Sequence, residues 1–486
     1  MSGVLLKLPG ARTAPGPSRA PGEQRPPENP WRRILPRRAA DPYLLAAALF
    51  AAYATLSVER YRRMETRSWD LGIFEQVVRA YAHLQAPIAD LKGPGTNILG
   101  DHFSPVTALL APFYRLFPTP VTLLVAQAAL FALAAVPVTR ASARLLGRGP
   151  GLAVGVAYGL SWGIQRAADF DFHEICFAVP LIAFSLEAVL RARWRTALLY
   201  ALPLVLVKED LGLTTAALAV VVAVRARRVS PVAMRWALAV AAFGAVAALV
   251  TLTAVIPAFN TTGGYDYWSK VGGKDAAGPW TAWHLKLRTL TWILLPTTGL
   301  LALRSPLLLA ALPTLAWRFL SSDDHYWSTD WHYSAVLMPI VMLALADAVA
   351  TARHSPHAWL RAYAPRLPLC AAVAALALTP SMPLAALTEP ATYRKSPQVS
   401  AAEALFSRIP DGATVEADID PIARLTSRCR VFWVGGARPV TPSYIAINNT
   451  DGWAGDPVEY AAALHPGARY TVAGVAGGYV VLRLQG

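Results

Sequence analysis

The sequence predicts a mainly α protein: a polytopic transmembrane helical bundle with a small soluble α/β domain at its C-terminal end. Three observations predict it. Hydrophobic residues make up 55% of the 486 positions and charged residues only 15%, where ordinary soluble domains carry roughly 25% charged. Apolar runs recur along most of the chain. Beyond about residue 390 the composition returns to that of a soluble domain with strand-like patterning. The mean hydropathy of +0.38 cannot come from one oversized core, because such cores stop growing near ~250 to 300 residues. The surplus apolar surface faces lipid, which excludes a water-soluble globular enzyme.

Taken in order, residues 1–40 hold eight prolines and eight Lys/Arg against Glu23 and Glu28, the composition of a disordered basic cytoplasmic tail. The tail lacks the apolar core and cleavage site of a signal peptide, so the run 42–58 is expected to be an uncleaved first span. Further apolar runs lie at 119–139, 149–165, 175–190, 196–207, 211–224, 233–257, 287–302, 305–320, 333–350 and 367–385. A threading with the N-terminus inside puts the clusters at Arg140/Arg144/Arg148, Arg191/Arg193/Arg195, Arg225/Arg227/Arg228/Arg235, Arg304 and Arg353/Arg361/Arg366 on the cytoplasmic side. It gives about 11 spans and an external C-terminus. Segment 104–117, with Pro105 and Pro112, is too short to cross and reads as interfacial or re-entrant. Run 196–224 divides into two short helices with Lys208-Glu209-Asp210 at the tip of the hairpin.

The expected organisation is therefore a tail over 1–40, a transmembrane domain with external catalytic loops over 41–388, and an extracytoplasmic α/β domain over 389–486. In that last domain a helix is expected over 401–409, strands over 414–417, 430–434 and 444–447, and an apolar pair around Gly477-Gly478. The net charge of +15 belongs to the tail and the arginine loops, so it does not call for a nucleic-acid partner. Cys176, Cys370 and Cys429 show neither metal nor disulfide spacing.

Most of the non-terminal Asp, His and Glu fall on the opposite, external face, so chemistry is expected there. Apolar positions 71, 74, 77 and 78 recur at helical spacing and suggest an amphipathic helix lying in the membrane interface. Asp70 stands at its start, where a carboxylate serves as an N-cap, as a catalytic group, or as both. Asp101-His102, at the membrane boundary, suits metal or phosphate binding or a simple helix cap. In Asp169-Phe170-Asp171-Phe172-His173-Glu174 an extended backbone would turn Asp169, Asp171 and His173 to one side. Such donors suit Mg²⁺ or Mn²⁺, and a solvated loop is the alternative. Lys208, Glu209 and Asp210 between apolar runs are functional candidates, with Lys208 a phosphate ligand; a self-neutralising pair is the other reading. Loop 321–333 gathers acids, His325, His332, Tyr333 and flat aromatic rings that could floor a sugar site, or could form an interfacial aromatic belt with Tyr265, Tyr267, Trp268, Trp280 and Trp283. No Walker loop, dinucleotide turn, nucleophile elbow or zinc-protease helix is present, so no nucleotide cofactor is expected.

At these motifs the sequence resembles the polytopic membrane family catalogued as domain of unknown function 2079. The matching pieces are Trp69-Asp70-Leu71-Gly72-Ile73-Phe74-Glu75-Gln76, Gly100-Asp101-His102-Phe103-Ser104-Pro105, Phe172-His173-Glu174 and Val207-Lys208-Glu209-Asp210-Leu211-Gly212. The layout is also similar to the C-type glycosyltransferase superfamily. That resemblance implies polyprenyl-phosphate-linked sugar donors, a catalytic acid in the first external loop at Asp70, and a second-loop Asp-x-Asp at Asp169 and Asp171. The first loop departs from that pattern, because Glu75 is not adjacent to Asp70.

The expected function is inverting transfer of a sugar from a polyprenyl phosphate carrier, in the bilayer, to an acceptor in the cell envelope. Asp70 would be the base. Asp101, Asp169, Asp171 and His173 would be ligands of a divalent cation, and His102, Glu75, Lys208, His332 and Tyr333 would contact substrate or phosphate, with Glu174, Glu209 and Asp210 nearby. Two rivals are a secondary transporter coupled through Lys208-Glu209-Asp210 and a non-enzymatic envelope scaffold.

Overall fold

The computed structural model describes residues 37–65, 68–271 and 282–485. The basic tail, up to residue 36, and Trp280 therefore lie outside the described residues. The first helix, α1 (Arg37–Arg62), is followed by α2 (Asp70–Ala82), a loop of short turns, and α3 (Ala111–Leu116). Next come α4 (Pro120–Leu146), α5 (Arg148–Gly159), α6 (Trp162–Asp169), α7 (Ala178–Leu190), α8 (Trp194–Ala201), α9 (Leu211–Ala226) and α10 (Pro231–Val250). The helical part closes with α11 (Ile256–Phe259), α12 (Trp283–Thr298), α13 (Leu312–Leu320), α14 (Leu337–Ala352), α15 (Ala358–Tyr363) and α16 (Leu367–Leu378).

Each of the eleven apolar runs falls on a helical segment, and among the described residues five helices are long and apolar enough to cross a membrane: 40–62, 120–146, 231–259, 332–352 and 358–381. Local chemistry shortens the others. The run 149–165 breaks at Leu160-Ser161 between α5 and α6, and the 305–320 run opens with a tight turn at Pro306 before α13. The hairpin expected over 196–224 is present, with α8 and a tight turn through Leu206 on one side of Lys208-Glu209-Asp210 and α9 on the other. Segment 104–117 is a tight turn followed by the six-residue α3, too short to cross. Starts follow the Ser/Thr–Pro pattern: Thr119 accepts the Val121 amide ahead of Pro120, and Ser230 accepts the Ala233 amide ahead of Pro231. The 332–352 span has 89% of its apolar window buried inside the protein, so α14 is the bundle axis, as a helix apolar on every side must be. Gly212 and Gly244 let α9 and α10 touch backbone to backbone: a Cβ on Gly244 would meet the Gly212 carbonyl oxygen at 2.5 Å.

The C-terminal part begins with α17 (Pro397–Phe406) and continues through β1 (Thr414–Ala417), α18 (Ile419–Leu425), β2 (Arg430–Trp433), β3 (Tyr444–Asn448), α19 (Pro457–Leu464), β4 (Tyr470–Ala476) and β5 (Tyr479–Leu484). The five strands lie in the order β2-β1-β3-β5-β4. β1 is parallel to β2 and β3, and β5 is antiparallel to β3 and β4. The β4–β5 hairpin turns at Gly477 and Gly478, both at positive φ.

The structure differs from the sequence expectation most at α2. Instead of lying in the interface with one apolar face, it is clamped on two sides. Leu71, Phe74 and Val78 enter the helical core, while Ile73 and Val77 enter the core of the sheet beside Leu405, Phe406, Val415 and Ile422. Gly72 allows the approach, since a Cβ there would stand 2.3 Å from Ile422. Polar bonds fix the register: Gln76 donates to the Val431 carbonyl at 2.8 Å, and Arg79 donates to the Thr426 and Cys429 carbonyls at 2.9 and 2.8 Å. Glu75, expected to contact substrate, is fully enclosed in this seam, accepting from Tyr114 at 2.8 Å and from Thr426. It joins α2 to α3 and α18.

Burial pushes the Glu75 carboxyl up to about 7, even though the Thr426 and Tyr114 hydroxyls favour its ionised form. A carboxyl raised above its unfolded value contributes stability that is complete below that lower value and is lost as pH rises through the folded one. The thermal stability of the detergent-solubilised protein is expected to fall between about pH 4.5 and pH 7 by at most about 3 kcal/mol from this group. Glu75→Gln, which keeps the shape and can bond to both hydroxyls, should flatten that dependence; an unchanged pH profile would reject this origin.

Candidate functional site

The site forms where the N-terminus of α2, the turn after α6, the 208–210 tip and the 321–333 loop meet. Gln127 on α4 holds the first strut. Its amide donates to the carbonyls of Ala167, Phe170 and Asp171, each at 3.3 Å, and its oxygen accepts the His173 amide at 3.0 Å. This fixes Phe170 and His173 in extended backbone after the end of α6. Arg318, fully buried, holds the second strut: it donates to the Tyr326 and Ser328 carbonyls at 2.8 and 3.0 Å and to Ser334 at 3.2 Å.

His173 and His332 are thereby stacked, with ring centroids 3.7 Å apart. His102 stands 6.4 Å from His173, and Phe74 of α2 lies edge-on to both. Tyr333 packs on His332 at 4.3 Å, and Tyr267 on His102 at 5.5 Å. Glu174 has no exposed side-chain surface. Lys208 donates to it at 2.8 Å, and His173 Nδ1 lies 2.5 Å from its other oxygen but not in hydrogen-bond geometry. Burial alone would raise the Glu174 carboxyl, but the His173 and Lys208 side chains outweigh it and hold that carboxyl well below the usual range. Burial likewise works against the Lys208 ammonium, yet Glu174, Glu209 and Asp210 raise it well above normal, so it stays charged. Tyr265 donates to Glu209 at 3.1 Å. Glu209 Oε2, Asp210 Oδ1 and His332 Nδ1 are buried with no hydrogen-bond partner among the described residues. Buried polar atoms in native proteins rarely stay unsatisfied, and such a group of orphans marks a place for water or a ligand.

Asp70 is the first residue of α2, not its cap: Ser68 Oγ accepts the Asp70 amide at 3.1 Å. The half-buried Asp70 carboxylate has no hydrogen bond or ion pair among the described residues, and it lies within electrostatic reach of Tyr333. Ser68 also donates to Asp171, through its amide at 2.9 Å, which links the first loop to the second. Asp101 receives Lys92 at 3.0 Å and His102 at 2.6 Å. Burial would raise its carboxyl, but those two neighbours hold it well below the ordinary carboxylate range.

The four expected cation ligands are not brought together. Asp169 ends α6 and pairs with Arg60 of α1, Asp171 turns to Ser68, Asp101 belongs to Lys92 and His102, and His173 belongs to Glu174 and His332. The common direction expected for 169, 171 and 173 fails because Asp169 is helical and only the residues after it are extended. Among the described residues, the group of three such side chains whose donor atoms lie close enough to share one ion is Asp323, Asp324 and His325, mostly exposed. The 321–333 loop is not simply a lipid-facing belt: Trp327 is buried, donating to the Ser321 carbonyl at 2.9 Å under the Lys286 ammonium.

Sequence reasoning passed over Gln127, Arg318, Ser68, Lys92 and Arg60. Arg318 carries a legible signal, a lone cation inside an apolar run. Gln127 carries a weaker one of the same kind. Ser68 and Lys92 look like ordinary loop residues.

The family described as predicted membrane protein (DUF2079) matches residues 60–462. Among solved structures, ArnT from Cupriavidus metallidurans bound to undecaprenyl phosphate superposes with a TM-score of 0.56 at 15% identity, covering 91% of this chain and 98% of that one. The apo state of the same protein gives 0.52 at 13% identity, with 90% and 97% covered. No curated protein matches the chain by sequence. At these identities the likeness to ArnT is one of fold, extending over nearly the whole of both chains. The chain belongs to the DUF2079 family of membrane proteins.

Proposed function

We propose that this DUF2079 member is a C-type membrane glycosyltransferase that moves a sugar from a polyprenyl phosphate carrier to an acceptor on the extracytoplasmic side, with inversion at the anomeric carbon. One observation carries the reading: the Asp70 carboxylate, unpartnered among the described residues, shares a site with the partly buried Lys208 ammonium and the orphaned polar atoms of Glu209, Asp210 and His332. That site lies in a fold that ArnT, solved with undecaprenyl phosphate, also adopts.

In the proposed step an acceptor hydroxyl or amine attacks the anomeric carbon and the bond from that carbon to the carrier phosphate oxygen breaks. The electron pair leaves with the phosphate, and the acceptor proton passes to Asp70, whose carboxylate is open to receive it. Lys208, fixed by Glu174, meets the negative charge that develops on the departing phosphate. His332, His102 and His173 complete the polar wall, and Tyr333 and Tyr267 offer flat faces to the sugar. A divalent cation supplies Lewis-acid stabilisation where one is bound, but the donor set here does not fit one. Asp101 and Asp169 are each already met by a cationic side chain and Asp171 by Ser68, so no step is drawn through a metal.

With the reconstituted protein and a polyprenyl-phosphate-linked sugar, Asp70→Asn is expected to lower transfer by about 10² to 10⁴-fold while leaving the melting temperature unchanged. A folded variant with full turnover removes Asp70 from the chemistry. Lys208→Gln alone strands a buried carboxylate and should cost about 3–5 kcal/mol of stability. The pair Glu174→Gln with Lys208→Gln should recover most of that stability but not the transfer. Recovery of both would make the ion pair purely structural. Transfer is expected to continue in excess chelator; its loss, reversed by added Mn²⁺, would reinstate a metal.

A further inference from the structure

The hairpin α7–α8 has two chemically different ends. Glu174 and Lys208 occupy one. The thirteen residues of α7 carry the chain about 20 Å to the other, where the α7–α8 turn meets the start of α10. A cavity of about 460 Å³ opens there, lined among others by Arg193, Trp194, Arg195, Thr196, Ser230 and Trp236. A smaller one beside it, about 70 Å³, shares Arg193 and Thr196 with the first.

The arginines at this end are of two kinds. Glu187 receives Arg140 through two bonds of 2.6 and 2.5 Å and Arg191 at 3.2 Å, so the nearby acid is fully engaged. The side chains of Arg193 and Arg195 make no hydrogen bond or ion pair among the described residues, and both are exposed. Two uncompensated guanidinium groups, with Ser230 and Thr196 hydroxyls beside them, suit a phosphate, to which arginine binds through paired donors.

The surroundings identify where that phosphate comes from. Trp194 and Trp236 flank the cavity, and Trp is enriched at the membrane–water boundary. Further along the same helices, Leu199 on α8 is 65% exposed and Phe243, two turns beyond Trp236 on the same face of α10, is 48% exposed, continuing the cavity wall with apolar surface. A soluble anion uses the arginines but leaves that wall in water; a lipid uses both. Basic recesses between transmembrane helices are recognised settings for acidic headgroups.

We propose that the cavity between the starts of α8 and α10 is a binding site for an anionic glycerophospholipid, with the phosphate on Arg193 and Arg195 and the acyl chains along Leu199 and Phe243. The site is separate from the one assigned to transfer and does not depend on that assignment. The test uses the full-length protein in phosphatidylcholine nanodiscs containing a minor fraction of phosphatidylglycerol, with lipid retention read by native mass spectrometry. Wild type should keep phosphatidylglycerol over phosphatidylcholine. R193Q/R195Q should reduce that retention by about tenfold or more, and R193K/R195K should keep a substantial part of it. Equal retention by the glutamine variant at an unchanged melting temperature would overturn the proposal. So would complete displacement of phosphatidylglycerol by millimolar inorganic phosphate, which would make a soluble anion the occupant.

Discussion

Glu174 is a carboxylate with no path to water, and the arrangement around it follows from that. An ion removed from solvent at the end of an apolar bundle needs opposite charge at contact distance, or it loses its charge. Lys208 supplies it from the tip of the α8–α9 hairpin at 2.8 Å. The hairpin therefore cannot be one continuous helix. A straight helix through 196–224 would carry Lys208 past Glu174, whereas the break at Leu206–Asp210 stops the chain where the ammonium is needed. Lys208 in turn brings Glu209 and Asp210, and Tyr265 closes over Glu209.

The same logic extends to the sheet. It is held against the site by α2, whose faces are shared between the two cores, and the packing orients it. Trp433 at the carboxyl end of β2 meets Trp69, while Val431 and Cys429 lie progressively further down α2. β1, parallel to β2, ends on that side too, so Asp418 and the start of α18 are turned toward the end of α2 that carries Asp70. Anything recognised at the carboxyl edge of the sheet would approach Asp70 from there. The ion pair of Asp90 with Arg430, 2.7 and 2.8 Å, secures the far side of the first loop to β2.

Much of this was legible in the sequence. The apolar runs, the broken hairpin with its charged tip and the C-terminal strands could be read from periodicity, and the cost of charge near lipid marked Lys208 as a residue needing a partner, which is Glu174. What could not be read was pairing. Nothing local says that Asp169 belongs to Arg60 or that Gln127, forty-six positions away, would take the His173 amide. Glu75 was misread because its neighbours along the chain resemble those of an exposed acid; the groups that enclose it, Tyr114 and Thr426, come from remote segments. The number of spans was not legible for another reason. An apolar run reports that a segment avoids water but not whether lipid or protein covers it, and prolines cut several runs below crossing length.

The pairing also decides what kind of electrostatics the site can offer. A divalent cation is held where carboxylates outnumber the positive charges near them and share one point in space. Here the acids are spaced out, and three of them are already answered: Asp169 by Arg60, Asp101 by Lys92, Glu174 by Lys208. Bringing a further double positive charge among these partners would set it against the ammonium and guanidinium groups that now neutralise the acids. Around Lys208 the balance differs: Glu174, Glu209 and Asp210 hold the ammonium charged, so a phosphate oxygen in the proposed step would share an ammonium that these acids already surround. In the proposed function Lys208 would take the charge of the leaving phosphate, and Asp70, which has no hydrogen bond or ion pair among the described residues, would take the acceptor proton.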